Sequence, residues 1–130
     1  MIIDNQLLDT LSAQAKASLR LRQAYDLRNS AEDNSQRMLN ALEPGTVMPI
    51  HRHRNTSESI CMVRGKMVMR LYDDKGNVTD EFVMEPGGEH PMVQVEAGRW
   101  HSLEVLEEGI VVFEAKDGRY EAVREEDVMK

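Results

Sequence analysis

Cysteine is nearly absent: Cys61 is the only one in 130 residues. No disulfide can therefore staple the chain internally, which suits a reducing compartment. Positive charge is also in deficit, with 16 Lys and Arg against 23 Asp and Glu and a formal net charge of −7. Phosphate backbones call for a basic surface, so nucleic acid is not an expected partner. No apolar run is long enough to span a bilayer, and no membrane partner is expected. The start, Met1-Ile2-Ile3-Asp4-Asn5-Gln6, lacks the basic and apolar stretches of a signal peptide. A cytoplasmic location is the expectation. Low-complexity tracts and internal repeats are missing too. At 41% hydrophobic and 30% charged residues, the composition is that of an ordinary globular domain with enough chain to bury a core.

The first periodic segment, residues 4–18, places Leu7, Leu8, Leu11 and Ala15 at helical spacing behind a capping Asp4 or Asn5. From Leu19 to Ser35 the pattern weakens and reads as an arm or loop. The period then changes. Short apolar runs at 36–43, 47–53, 57–64, 66–73, 78–84, 91–96, 100–106 and 110–115 read as strands, and 123–129 as a short terminal helix. Pro44-Gly45, Asp74-Lys75-Gly76-Asn77, Gly98 and Gly109 mark turns. Many short strands at close spacing predict a β-sandwich or small barrel, an architecture able to hold one small ligand inside. The organisation is one structural domain in three parts: helix and arm over 1–35, barrel over 36–121, tail or short helix over 122–130.

The chemistry concentrates between two glycines. Gly45, His51, His53, Glu58 and Gly65 fall in one stretch, and Gly98-Arg99-Trp100-His101 comes far downstream. Two histidines two apart on a strand face the same way. Glu58, opening the next strand, can meet them, and a closed barrel can bring in His101. Three imidazoles and one carboxylate suit a divalent transition metal: Fe, Mn, Zn or Ni, with Cu(II) also compatible with nitrogen and oxygen donors. On an octahedral ion four such ligands leave two positions open, the arrangement of a catalytic site.

Other residues carry weaker signals. Glu114 and Lys116 share a strand face and are expected to form an ion pair or, with Tyr120, to supply acid and base groups. Arg37 and Asn40 are candidate substrate-binding residues, although strand parity lets only one face the interior. Arg20, Arg22 and Arg28 read as solvated arginines, with an anion clamp as the alternative. His90 reads as a loop histidine, Cys61 as a packing residue facing away from the metal, and Met48, Met62, Met67, Met69 and Met84 as core filler.

The stretch from Gly45 to Gly65 resembles the first cupin motif at every defining position: glycine, five residues, His-x-His, four residues, glutamate, six residues, glycine. Gly98-Arg99-Trp100-His101 resembles the core of the second motif, although Glu96 and Val105 replace its usual proline and asparagine. Gln36 to Gly45, Tyr72 to Gly76, Gly98 to Ser102 and Phe113 to Tyr120 resemble the WbuC family of cupin-fold metalloproteins. The resemblance implies a mainly β fold, a small double-stranded β-helix (the cupin jelly-roll barrel) with an N-terminal α-helix. It also implies a homodimer and a link to bacterial surface-polysaccharide (O-antigen) genes. An enzyme acting on a sugar or nucleotide-sugar derivative is then expected, by isomerase- or epimerase-like proton transfer. The alternatives are an Fe(II)-dependent dioxygenase and a non-catalytic module, whether it binds a small molecule through the metal or uses the metal structurally.

Overall fold

The Asp4 carboxylate starts the one α-helix by accepting a 3.0 Å hydrogen bond from the Leu7 N–H. In the computed structural model, which describes residues 1–130, this helix α1 spans Asn5–Ala17. Leu8, Leu11, Ser12 and Ala15 form its buried stripe. Eight strands follow: β1 (Arg22–Asp26), β2 (Ser35–Leu42), β3 (Glu58–Arg64), β4 (Met67–Tyr72), β5 (Val78–Met84), β6 (Met92–Val95), β7 (Trp100–Val105) and β8 (Ile110–Asp117). They build two antiparallel sheets, ordered β1-β2-β8-β3-β6 and β5-β4-β7.

Period-2 alternation gives each strand one inward face. Leu42, Ile60, Met62, Ile110 and Val112 from the larger sheet pack against Met67, Met69 and Met84 from the smaller one. The outward residues Leu39, Ala41 and Val111 are covered instead by Leu8, Leu11 and Ala15 of α1. The β2–β8 part of the larger sheet is therefore buried on both faces. The inner stripe changes character along its strands. Where β3 and β8 pair, Met62 stands opposite Val112, Ile60 opposite Glu114, and Glu58 opposite Lys116. One end of the sandwich is apolar filling and the other is a polar cavity.

Three expectations for local structure need correcting. Residues 22–26 are not arm but strand β1, paired in register with β2. It is an edge strand with a half-buried, polar face, so its alternation is weak in the sequence. Residues 47–53 do not form a strand. Pro49 lacks an N–H to donate, and only His51 makes isolated bridges, to His101 and to Val128. The terminal helix is reduced to one 3-10 turn, Glu125–Asp127. That turn is anchored by Asp127, 5% exposed, whose Oδ1 accepts from Arg52 Nε and Arg54 Nη2 at 2.8 Å each. The tail thereby covers the edge beyond His51 that would otherwise offer unpaired backbone groups. No helix is long and apolar enough to cross a membrane.

Candidate metal centre

The two histidine-bearing stretches meet because their backbones are stitched together. His51 N–H donates to the His101 carbonyl at 3.0 Å, His101 N–H to the His51 carbonyl at 2.9 Å, and Gly98 N–H to the His53 carbonyl at 2.8 Å. The rings follow. Centroids of His51 and His101 are 4.4 Å apart, those of His51 and His53 5.1 Å, and those of His53 and His101 5.6 Å. One ligand nitrogen from each lies within 4.8 Å of the others.

Each of two rings is oriented by the carbonyl two residues before it. His51 Nδ1 lies 2.9 Å from the Pro49 oxygen and His101 Nδ1 2.9 Å from the Arg99 oxygen. A neutral imidazole that donates from Nδ1 presents a lone pair at Nε2. Burial, followed by repulsion from His101, lowers the His51 pKa to about 4. Burial likewise lowers that of His101. Both rings are thus neutral at physiological pH, the form that binds a cation.

Glu58 enters from the start of β3. Its Oε2 is 3.2 Å from His53 Nε2 and 3.9 Å from both His101 Nε2 and Lys116 Nζ. Burial acts to raise its pKa, but contact with His53 and the charges of Lys116 and His101 outweigh it. The carboxyl is held well below the usual carboxylate range. The residue is 4% exposed, yet this oxygen has no hydrogen-bond partner in the protein. A buried, ionised oxygen that makes no hydrogen bond, set beside converging imidazole nitrogens, is costly unless a cation satisfies it. The donor set therefore fits a divalent metal, although Glu58 touches two of the three rings rather than all of them.

These groups line one cavity of about 360 Å³, together with Arg20, Arg22, Asn40, Glu114, Lys116 and Tyr120. Burial, then the neighbouring Glu58 charge, raises the Glu114 pKa to about 7, against opposing contributions from Lys116 and Asn40. The expected Glu114–Lys116 ion pair does not form: the Lys116 amine lies against Glu58 instead. Residues 114 and 116 share a face, but Glu58 stands directly across from Lys116 on β3.

Of the two candidates on β2, Asn40 reaches the cavity and Arg37 does not. Arg37 has the parity of the outer face, where its guanidinium binds the Leu27 and Ser35 carbonyls and Asp33. Arg28 is likewise committed, to Asp26. His90 sits in a loop beside Phe82, with ring centroids 5.2 Å apart. Trp100 is buried; its Nε1 donates to Asp74, and the Arg52 guanidinium lies over its ring at 4.4 Å. Sequence reasoning favoured Arg20 and Arg22 as solvated arginines; both line the cavity, which was not visible because the strand that positions Arg22 was itself hidden.

A two-sheet β-sandwich with this histidine cluster at its polar end has the cupin fold. The chain belongs to the family described as a domain of unknown function (DUF6016), which matches residues 3–84. No curated protein matches it. Among solved structures it resembles KdgF from Halomonas sp., with TM-score 0.62 and 15% identity over 76% of this chain and 82% of that one. The cupin domain of Schizosaccharomyces pombe Cnp3 gives TM-score 0.61 and 15% identity over 78% of this chain and 63% of that one. The capsular polysaccharide assembling protein CapF from Staphylococcus aureus gives TM-score 0.64 and 20% identity over 80% of this chain and 30% of that one. The chain thus spans less than a third of the length of CapF. At these identities the likeness is one of fold.

Proposed function

We propose that this chain is a metal-dependent cupin enzyme of the WbuC kind, acting on a sugar or nucleotide-sugar derivative in surface-polysaccharide metabolism. His51, His53, His101 and Glu58 would hold one divalent transition metal. The observation that carries this reading is the convergence of three imidazoles, two of them oriented by backbone carbonyls, beside a buried carboxylate oxygen that makes no hydrogen bond within the protein. A metal held there supplies a Lewis acid able to polarise a carbonyl or hydroxyl oxygen.

The chain's own residues account for the rest. Glu114, with a pKa near 7, stands where a group can both take and return a proton at working pH. Lys116 keeps Glu58 ionised and so available as a ligand. Apolar Leu42, Ile60 and Leu103 wall the cavity from below and exclude water from its floor. Isomerisation or epimerisation needs these parts: an oxygen held and polarised, and a base beside a carbon-bound proton. The stretches resembling WbuC proteins support the polysaccharide assignment. So does the likeness in fold to CapF, a capsular polysaccharide assembling protein.

Metal analysis by plasma emission of natively expressed protein tests the site, followed by a substrate screen over sugars and nucleotide sugars with that ion bound. Solvent deuterium incorporation into a screened substrate is the expected signature. Glu114→Gln should keep the metal and lose about 10²–10⁴-fold in rate. Metal retained without exchange or turnover of any candidate would leave a non-catalytic binding module as the better reading.

A further inference from the structure

Two cavities meet at one wall. The cavity of the histidines and an adjoining one of about 420 Å³ share Arg20, Arg22 and Asn40. Eight of the eleven arginines lie against a carboxylate, but Arg20, Arg22 and Arg119 do not. In a chain with seven more acidic than basic side chains, a free guanidinium is an exception. Two of the three exceptions stand on this shared wall.

Their placement is built into the backbone. Leu21, between them, has φ 57, a left-handed conformation that a leucine rarely adopts. Four contacts hold it there. Leu21 N–H donates to the Ser18 carbonyl at 3.0 Å, and Glu43 N–H donates to the Leu21 carbonyl at 2.9 Å. Thr46 Oγ1 donates to the Arg20 carbonyl at 3.0 Å. The Leu21 side chain lies on Gly45, where an added Cβ would come within 2.9 Å of Leu21 Cδ1. The first glycine of the histidine motif is therefore the seat of the turn that carries both arginines. The acidic groups on the cavity lining, Glu58 and Glu114, do not reach them: Glu58 faces His53 and Lys116, and Glu114 lies on β8 with Asn40 as its β2 contact.

We propose that Arg20 and Arg22, with Asn40, form an oxyanion subsite, so that the ligand is a monosaccharide-sized molecule bearing a phosphate or carboxylate. This rests on the cavity being the ligand site of the proposed function. Paired guanidinium forks match the geometry of both anions. The anionic group sits at the shared wall, and the hydroxyl-bearing body reaches the imidazoles. A cavity of about 360 Å³ takes one sugar ring. A larger substituent would extend into the adjoining cavity past the arginines.

The test is isothermal titration of the metal-loaded full chain with glucose 6-phosphate, glucuronate, glucose and inorganic phosphate. At least one of the two anionic sugars is expected to bind roughly tenfold or more tighter than glucose. Which of them does so, and whether inorganic phosphate competes, separates phosphate from carboxylate. Arg20→Ala and Arg22→Ala should each weaken that probe about tenfold, with partial recovery in the lysine variants. Arg119→Ala, the third unpaired arginine, should leave it unchanged. Binding of glucose as tight as that of both anions, anion affinity intact in the double alanine variant, or no binding by any anionic probe overturns the proposal. Metal content measured on the same samples separates the two readings. Metal in wild type and both arginine variants with anion binding unaffected sinks only the subsite. Absence of metal sinks the metal centre, while the arginine dependence of anion binding still judges the subsite.

Discussion

Glu114→Gln tests by stability alone, with no substrate in hand, whether the folded chain holds the Glu114 proton to higher pH than the unfolded chain does. Burial and the Glu58 charge raise the Glu114 pKa from 4.5 to about 7 in the folded protein. Between those values the folded chain keeps a proton that the unfolded chain releases. Stability therefore falls as pH rises through that window, the opposite of the usual carboxylate case. At 1.36 kcal/mol per unit, the full shift sets an upper bound of about 3 kcal/mol lost between pH 4 and pH 8. Glutamine keeps the shape and has nothing to titrate. The buried histidines slope the other way, because the unfolded chain binds more protons between about 4 and 6.5 at His51. Their slope is present in both proteins, and because Glu114 is not among the groups that shift His51 or His101, it largely cancels in the difference. The assay is urea unfolding of metal-free wild type and Glu114→Gln from pH 4 to 8. With a slope near 2 kcal/mol per molar urea, the midpoint of wild type should drop by up to about 1.5 M relative to the variant. Parallel curves would refute the reasoning, because they would mean that Glu114 titrates alike in the folded and unfolded chains. Adding metal should flatten the difference, since a nearby cation favours the carboxylate.

The metal itself should stabilise the fold. An ion at one hundred times its dissociation constant adds about 2.7 kcal/mol, roughly 10 °C in melting temperature at this size. His51→Ala, His53→Ala or His101→Ala should abolish that gain in a thermal melt. The same gain in any of these variants removes that residue from the ligand set. Leu11→Ala should cost about 2–5 kcal/mol in urea unfolding, because Leu11 is 2% exposed between helix and sheet. A cost under about 1 kcal/mol would mean that α1 is not part of the core. Gly65→Ala should destabilise by about 1–3 kcal/mol or more through backbone strain. Residue 65 has φ +83, and a Cβ there would lie 2.7 Å from Ile110 Cγ1 and 3.3 Å from its Cα. A melt unchanged from wild type would contradict that geometry.

Elements whose local chemistry and burial agree were legible in the sequence. The β4–β5 hairpin is one: Asp73 accepts from the N–H groups of Lys75 and Asn77 between two alternating strands, so turn and period point the same way. The helix is another, with its cap and stripe in agreement. Strand β1 was not legible, because an edge strand with polar residues on its exposed face carries no period. The stretch 47–53 misled in the opposite direction. Its apolar residues Val47, Met48 and Ile50 look strand-like, yet Val47 is 78% exposed and no ladder forms there. At the site, spacing alone located the histidines, because two residues on an extended chain face one way. It could not tell Arg37 from Asn40 without the register, nor place Lys116 on Glu58 rather than Glu114.

That register also explains how one sandwich holds both a core and a site. On β8 the inner positions run Ile110, Val112, Glu114, Lys116, and on β3 they run Glu58, Ile60, Met62 in the opposite direction. The switch from apolar to polar falls near one level on both strands. The same alternation that buries the core carries Glu58, Glu114 and Lys116 into the cavity, and the non-strand stretch 47–53 brings His51 and His53 onto its wall. Ionisable groups placed there lose hydration, which shows as the depressed pKa of His51 and the raised pKa of Glu114. The methionines at the other end, Met62, Met67, Met69 and Met84, are each at most 4% exposed and supply the burial that offsets this. Their unbranched side chains fill the narrowing space without constraining the rings above. Moving the polar level by one inner position, as Ile60→Glu would, places a second carboxylate beside Glu114 with no cation of the protein opposite it. That variant should lose the fold before it gains a ligand, and a cooperative urea transition like that of wild type would contradict the division of the sandwich into a core end and a site end.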